Sequence, residues 1–226
     1  LGAGSPDLHL EEPDGPAAST WLRQTVEGLF APVFAAAAPQ EALQALEHGR
    51  ILCALRDGPS GVEGLNRLAE SVFRRQGSIP PGQDRYRGLP VMVLQNDYSL
   101  GLFNGDTGVL WPDEDGTLQA WFPQEGGGPR PVAPARLPSW QPAYASTVHK
   151  AQGSEFTEVL LVLPEADTPV LSRELLYTGI TRARRTIRVY GRRELLVQGM
   201  RRRMVRHSGL AEALRRTEAE AAADRA

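Results

Sequence analysis

The sequence has very little lysine: one residue, Lys150, among 25 basic side chains. A phosphate-binding loop of the form GxxxxGK[ST] needs a lysine directly after a glycine, because that side chain reaches the terminal phosphates of a nucleotide. Lys150 follows His149, so the chain contains no such loop. The acidic pair at 113–114 stands between a proline and an Asp-Gly pair, which is typical of a turn rather than a magnesium-binding strand end. We therefore expect no ATP hydrolysis by this chain alone.

Cysteine and long apolar runs are also scarce. The single Cys53 excludes an internal disulfide and suits a reducing compartment, so we expect a cytoplasmic protein. It lies in the apolar run 51–55, where a buried small side chain is expected rather than a reactive thiol. No stretch of apolar residues is long enough to span a membrane, and the first residues lack a basic–apolar signal segment. We expect no membrane partner.

The net charge of −2 conceals an uneven distribution. Residues 1–172 carry eleven basic and 21 acidic side chains, whereas residues 173–226 carry fourteen arginines and six acids. A basic C-terminal part on an acidic body is expected where one face meets a polyanion. An arginine-rich solvated surface would give the same count, so charge alone leaves both interpretations open.

Hydrophobic periodicity predicts alternating helices and strands in the first third of the chain. The predicted elements are, in order, a loop over 1–15, a helix capped by Ser19 and limited by Pro32, a helix over 40–48, a buried strand over 51–55 and a helix opened by a Ser60–Glu63 capping box. The composition changes at 77–82, which we interpret as a domain junction.

The residue pattern in the middle of the chain predicts short strands with hairpin turns. The pattern in the last part again predicts alternating strands and helices. The predicted strands of the middle part are 91–95, 109–111, 118–122 and one near Val132, with a turn signal at Asn104-Gly105. The later elements are strands over 144–148, 159–163 and 187–190 and a helix over 172–183. Such alternation favours a parallel sheet that binds ligands at the carboxyl ends of its strands.

Two short runs combine small, hydroxyl-bearing and charged residues next to apolar elements, namely STVHKAQGSEF at 146–156 and YTGITRAR at 177–184. In order and spacing they resemble motifs V and VI of superfamily 1 helicases. Their amino-acid sequences are most similar to those of RecD-type enzymes, which move 5′ to 3′ along DNA. Residues 90–108 resemble the insertion that RecD-like proteins carry between these motifs. The resemblance extends from about 51 to 210.

The resemblance implies an α/β fold that forms the C-terminal part of a helicase. Its second RecA-like motor domain would be discontinuous, with a first part at 1–86 and the remainder at 141–208. A small SH3-like β barrel would be inserted at 87–140, and a C-terminal tail would occupy 209–226. The implied cofactors are ATP and Mg²⁺, whose ligands would lie in a missing N-terminal part. The implied partners are single-stranded DNA, the N-terminal motor domain of the same protein and, in some relatives, other subunits of a helicase–nuclease complex.

The resemblance also implies roles for individual residues. The expected DNA-binding set is Ser146, Thr147, His149 and Lys150. The expected nucleotide-binding set is Gly153, Glu155 and Arg182, of which Arg182 is catalytic because it would reach the γ-phosphate. No metal ligand is expected in the chain. Judged as single residues, His149 could instead tie its loop to nearby backbone, and Glu155 could cap a helix.

Two rival interpretations remain open at this stage. An SH3-type module that binds proline-rich peptides would need an aromatic groove, for which the chain offers Tyr98, Phe103, Trp111, Trp121 and Phe122, although several of these also fit core alternation. A nuclease subunit would need clustered carboxylates, which the sequence does not show. The polar residues Asn96, Asp97, Asn104 and Asp106 suit turns as well as DNA contacts.

Overall fold

A computed structural model describes residues 7–124 and 126–203 of the chain. In chain order its elements are β1 (Asp7–Glu11), α1 (Gly15–Ala35), α2 (Pro39–His48), β2 (Gly49–Cys53), α3 (Val62–Arg75), β3 (Pro90–Val93), β4 (Thr107–Pro112), β5 (Leu118–Phe122), β6 (Arg130–Val132), β7 (Trp140–Pro142), β8 (Ala145–Thr147), β9 (Phe156–Val162), α4 (Arg173–Ile180), β10 (Ala183–Tyr190) and α5 (Arg193–Arg201). The expected tail at 209–226 lies outside the described residues.

A five-stranded parallel sheet in the order β1-β10-β9-β2-β8 forms the centre of the molecule. Its strands alternate between two apolar layers, because successive side chains point to opposite faces. Ile51 and Leu160 pack with α1, α2 and α3 on one face. Leu52 and Leu161 pack with α4 and α5 on the other. The expected α/β fold with a parallel sheet is confirmed, and its strand β2 is buried on both faces.

A second sheet of five antiparallel strands, in the order β6-β5-β4-β3-β7, occupies the middle of the chain. Its inner side chains, including Val91 and Leu110, belong to the same buried core as the helices α1 and α3. The chain returns from β7 to the parallel sheet through Ala143, whose N–H donates to the Pro90 carbonyl at 2.9 Å. The two sheets are therefore joined by a continuous core and by backbone hydrogen bonds at the crossing point.

Three sequence expectations about local structure are wrong. The predicted loop over 1–15 contains β1, which pairs with β10 as an edge strand. Helix α1 begins at Gly15 rather than near Ser19 and continues past Pro32. An interior proline costs about 3 kcal/mol, but burial of an apolar side chain stabilises by roughly 1.5–3 kcal/mol. Val26, Leu29, Phe30 and Val33 are all buried on this helix, so packing outweighs the proline.

Two helix ends also differ from expectation. The N-cap of α3 is Gly61 and makes no side-chain cap bond, so the predicted Ser60–Glu63 box does not form. Backbone carbonyls satisfy this end instead, since the Glu63 N–H donates to the Arg56 carbonyl at 3.1 Å. Helix α4 ends at Ile180, three residues short of the predicted Ala183, which begins β10. Arg182 consequently lies in a turn rather than on a helix.

None of the helices in the described part of the chain is long and apolar enough to cross a membrane.

Candidate functional site

Residues 148–155, here called the motif V loop, connect β8 to β9 and begin with a helical turn. The Val148 N–H donates to the Cys53 carbonyl at 3.0 Å, and the Ala151 N–H donates to the Thr147 carbonyl at 3.2 Å. Val148 and Ala151 are buried, which anchors the turn on the sheet. His149 lies between them and is exposed. The local sequence thus places its apolar residues inward and its imidazole outward.

The motif V loop reverses direction at Gly153, which has a φ of +91°. A Cβ atom at this position would meet no other atom of the described chain within 4 Å. The glycine is therefore required by the left-handed backbone conformation and not by crowding within this chain. The open space beside it leaves the backbone accessible to a ligand.

Thr147 and Lys150 face one another across the first turn of the loop. The Lys150 N–H donates to Thr147 Oγ1 at 3.3 Å, and the threonine hydroxyl can still donate its own proton. Lys150 Nζ donates to Asn104 Oδ1 at 3.4 Å, which links the motif V loop to the hairpin of the antiparallel sheet. Partial burial lowers the pKa of Lys150, and the positive charge of Arg56 lowers it further.

Arg182 is fixed by three acceptors in the turn between α4 and β10. Its Nε donates to the Thr178 carbonyl at 3.2 Å, one terminal nitrogen donates to the Ser154 carbonyl at 3.1 Å, and the other donates to Thr181 Oγ1 at 3.3 Å. A further N–H remains on each terminal nitrogen, since guanidinium carries two there. The side chain is half-buried. Arg182 therefore presents an oriented pair of donors beside the motif V loop.

Glu155 forms an ion pair with Arg184, with 3.1 Å between Oε2 and Nε. Both side chains are more than half exposed, so the pair contributes little to stability. Arg188 pairs with Glu158, which also lies 3.6 Å from His48 Nε2. Within the arginine-rich segment 184–188, Arg184 and Arg188 thus have acidic partners, and Arg185 is exposed.

The structure brings the sequence-predicted residues to a single loop and its neighbouring turn. Gly153 and Glu155 lie at the end of the motif V loop, where Arg182 contacts it, whereas His149 and Lys150 lie at its beginning, next to Thr147 at the end of β8. Ser146 is different, because it is 2% exposed and lines a cleft of about 420 Å³ between this loop and the antiparallel sheet. Any ligand contact of its hydroxyl would have to be made inside that cleft.

Sequence reasoning missed Arg50, which lines the same cleft and is 4% exposed. Its guanidinium donates to the Ala143 carbonyl and lies 4.9 Å from the centre of the Phe156 ring. Burial lowers the pKa of Arg50 to about 10. Its Nε has no acceptor among the described residues. The signal available in the sequence was an arginine directly before a buried apolar strand.

Sequence reasoning also missed Asn66 of α3, which is buried. Its amide donates to the Pro142 carbonyl at 3.0 Å, and its carbonyl oxygen accepts from the Ala145 N–H at 3.0 Å. One side chain thus joins the end of β7 to the start of β8, the strand that carries the motif V loop. No local pattern identifies such a residue, because both partners are about eighty positions away.

The polar residues of segment 94–106, here called the aromatic loop, act as turn formers. Asp97 Oδ1 accepts from the Ser99 and Leu100 N–H groups at 2.9 and 3.0 Å. Asn96 accepts from the Asn104 N–H, and Asp106 accepts from the Phe103 N–H, both at 2.8 Å. These contacts favour the structural role that the sequence left open.

The aromatic side chains of the antiparallel sheet do not form a shared groove. Trp111 and Phe122 are buried, and the Trp121 indole N–H donates to the Trp111 carbonyl at 3.0 Å. Tyr98 and Phe103 of the aromatic loop are exposed. The groove that a reader of proline-rich peptides needs is therefore not built from these five residues.

The segment that contains both motifs matches a family of helicase C-terminal domains. Residues 142–190 match the UvrD-like helicase C-terminal domain family. The curated relatives then specify the family: the chain is homologous to the C-terminal part of RecD-like DNA helicases.

The RecBCD enzyme subunit RecD of Mycobacterium tuberculosis is 42% identical over 176 residues, which cover 78% of this chain and 30% of that protein. The RecBCD enzyme subunit RecD of Haemophilus influenzae is 38% identical over 73% of this chain and 25% of its own length. The ATP-dependent RecD2 DNA helicase of Deinococcus radiodurans is 39% identical over 60% of this chain and 19% of its own length. The chain thus spans less than a third of these relatives.

Among solved structures, the Bacteroides Pif1 helicase in complex with ADP-AlF3 and single-stranded DNA overlaps 91% of this chain and 55% of its own, with 16% identity and a TM-score of 0.43. A Pif1 structure described for DNA unwinding at forked duplex DNA overlaps 92% of this chain and 53% of its own, with 19% identity and a TM-score of 0.45.

Proposed function

We propose that this chain supplies part of the ATP site and part of the single-stranded DNA track of an ATP-dependent 5′-to-3′ DNA helicase. Residues 1–86 and 141–208 would form the second RecA-like motor domain, and residues 87–140 would form an inserted SH3-like barrel. The remaining half of the ATP site would come from an N-terminal motor domain of the same protein. By itself the chain would not hydrolyse ATP.

The observation that carries this proposal is the hydrogen bond from the Arg182 guanidinium to the Ser154 carbonyl at 3.1 Å. Through it, the turn that ends motif VI holds the loop that bears Thr147 and His149. The Phe156 N–H also donates to the Arg182 carbonyl at 2.8 Å, so backbone and side chain both fix this junction. A nucleotide-sensing arginine and a DNA-facing loop that touch in this way would move together, which is what coupling of ATP hydrolysis to translocation requires.

The residues at this junction fit a nucleotide phosphate. Arg182 keeps two N–H groups available in one planar fork, which is the geometry that binds phosphate oxygens. The backbone at Gly153 is open, so it can approach a ligand closely. Glu155 would have to share its carboxylate between a ribose hydroxyl and Arg184. The Mg²⁺ that accompanies ATP would neutralise phosphate charge, and its ligands would come from the N-terminal part of the same protein.

The beginning of the motif V loop fits a nucleic-acid strand. Exposed His149 can stack on a base or donate to a phosphate, and the Thr147 hydroxyl and the Lys150 ammonium lie on the adjacent turn. Lys150 is held by Asn104, so its charge is positioned before a ligand arrives. These contacts would grip the backbone of a single strand without reading its sequence.

The test is binding of a fluorescein-labelled oligo-dT by the 226-residue chain, measured by anisotropy. We expect His149→Ala to weaken binding by about 1–3 kcal/mol, the range for loss of one stacking contact. The matched control is His9→Ala, since His9 is an exposed histidine on β1 at the opposite edge of the sheet from β8. Equal affinity of the His149→Ala variant and the wild type would contradict the assignment of the DNA track to this loop.

A second proposal concerns the assembly in which the helicase works. Several of the most similar relatives are named as subunits of the RecBCD enzyme, whereas the Deinococcus relative is named as a helicase by itself. We propose the RecBCD-type assembly because identity to its subunits extends over more of this chain. Affinity purification of the complete protein from its own cells should recover two further large subunits; recovery of the helicase alone would favour the RecD2-type arrangement.

A further inference from the structure

The aromatic loop presents two large aromatic side chains to solvent. Tyr98 is 81% exposed and Phe103 is 48% exposed, whereas Trp111 and Phe122 of the antiparallel sheet are buried and Trp121 is hydrogen-bonded. Their rings pack edge to face with 6.0 Å between centres. One face of the Tyr98 ring is therefore left open beside a second ring.

The loop that carries this pair is held rigidly. Asp97 and Leu102 exchange backbone hydrogen bonds of 2.7 and 3.0 Å, which closes the segment between the two aromatic residues into a tight hairpin. Leu102 and Leu100 are buried and anchor it. Asp97 adds a third bond by accepting from the Ser99 hydroxyl at 2.6 Å. An exposed aromatic pair on a pre-ordered support loses little conformational entropy on binding a ligand.

The pair is also connected to the proposed DNA track. Asn104, the neighbour of Phe103, accepts the hydrogen bond from Lys150 Nζ at 3.4 Å. The Asn104 N–H is in turn held by Asn96 at 2.8 Å, so the aromatic loop and the motif V loop share one hydrogen-bonded contact. A strand whose phosphate meets Lys150 would pass directly beside the Phe103 backbone.

We propose that Tyr98, backed by Phe103, is a stacking site for an unpaired nucleobase of single-stranded DNA on its way past the motif V loop. This inference rests on the proposed function and assigns a base-binding element to the antiparallel sheet. Stacking needs no hydrogen-bond pattern, because every base has an aromatic face, so the site suits an enzyme that moves along any sequence. The cation of Lys150 would hold the phosphate while Tyr98 holds the base.

The alternative occupant of this surface is a proline-rich peptide. Such peptides dock between several aromatic walls, but Trp111 and Phe122 are buried and unavailable for that purpose. A base needs only one exposed ring face, which Tyr98 offers. The observations therefore favour a nucleobase.

The experiment compares oligo-dT with an oligonucleotide of equal length whose central positions lack bases, using anisotropy with the 226-residue chain. Tyr98→Ala should weaken oligo-dT binding about 5-fold to 100-fold. The same substitution should change the affinity for the abasic oligonucleotide by less than about 2-fold, because that oligonucleotide has no central base for the Tyr98 ring to stack on. Tyr98→Trp should retain affinity. Met200→Ala, which removes another exposed apolar side chain, should behave as wild type.

The outcomes separate this inference from the proposed function. Weaker binding by His149→Ala together with unchanged binding by Tyr98→Ala would overturn the stacking site and leave the DNA track intact. An equal loss of affinity for both oligonucleotides in the Tyr98→Ala variant would also overturn the stacking site, because the effect would then not depend on the base. Peptide binding that Tyr98→Ala abolishes, with unchanged oligo-dT binding, would assign the surface to a protein. Failure of the wild-type chain to bind oligo-dT would contradict both proposals.

Discussion

Gly153 shows how a single residue sets the path of the motif V loop. Its φ of +91° belongs to the left-handed region, which residues with a side chain rarely adopt. No atom of the described chain would lie within 4 Å of a Cβ atom at this position. The loss of stability on replacing Gly153 should therefore come from backbone strain and not from steric crowding of the new side chain. Gly28 in α1 provides the opposite case, since its surroundings are equally open but its backbone is helical.

We predict that Gly153→Ala lowers the free energy of unfolding by about 1–2 kcal/mol, the penalty for a left-handed L-residue. Gly28→Ala should raise it by roughly 0.5–1 kcal/mol through helix propensity. Urea unfolding of both variants measures the two values. A Gly153→Ala variant as stable as Gly28→Ala would show that the loop does not need this conformation.

At the residue scale, the sequence was informative where a residue belongs to a long motif and silent where its partners are distant. The two motifs drew attention to the segments that hold Thr147, His149 and Arg182, and the structure joins these segments through the hydrogen bond from Arg182 to the Ser154 carbonyl. The burial of Cys53 in β2 also agrees with its apolar run. Asn66 could not be found in this way, because its role depends on β7 and β8, which reach it only through the fold.

At the scale of elements, the crossing from β7 to β8 determines how the antiparallel sheet is attached to the parallel one. Asn66 satisfies one carbonyl and one N–H there, and the Arg50 guanidinium satisfies the Ala143 carbonyl between them. Local signals located most strands but not this crossing, since β7 is short and its register is fixed by pairing with β3. Helix α1 likewise continues past Pro32, because the burial of its apolar side chains stabilises it by more than the interior proline destabilises it.

We predict that Asn66→Ala destabilises the protein by about 2–6 kcal/mol, because a buried N–H and a part-buried carbonyl lose their partner at about 1–3 kcal/mol each. Arg67→Ala on the exposed side of the same helix should cost less than about 1 kcal/mol, since it removes only a surface pair with Glu63. Thermal and urea unfolding of the two variants provide the measurement. Similar small losses in both would mean that Asn66 does not fasten this crossing.

At the scale of the whole molecule, the proposed DNA track and the proposed ATP site differ in how much of each this chain would supply. The residues proposed to face DNA lie within one segment, whereas the proposed ATP site would combine the Arg182 guanidinium with a phosphate-binding loop that this sequence lacks. The chain spans less than a third of its RecD relatives, and we propose that a second motor domain completes the ATP site. Turnover would then depend on Arg182 acting across a boundary between domains.

The most direct test of this account is DNA-stimulated ATP turnover by the complete helicase with and without Arg182. We predict that Arg182→Ala reduces turnover by roughly 10³-fold or more, because an arginine at the γ-phosphate contributes about 10³–10⁵ in rate. The Arg182→Lys variant should retain only part of the wild-type turnover, since an ammonium cannot reproduce the planar fork of a guanidinium. Affinity for oligo-dT should stay near wild type.

The control for that measurement is Arg185→Ala, which removes an exposed arginine from the same basic run. Its turnover should remain within about 2-fold of wild type, because the account gives this exposed side chain no contact with the developing charge. The account predicts a loss confined to Arg182→Ala and Arg182→Lys. Equal losses in Arg182→Ala and Arg185→Ala, or normal turnover without Arg182, would contradict it.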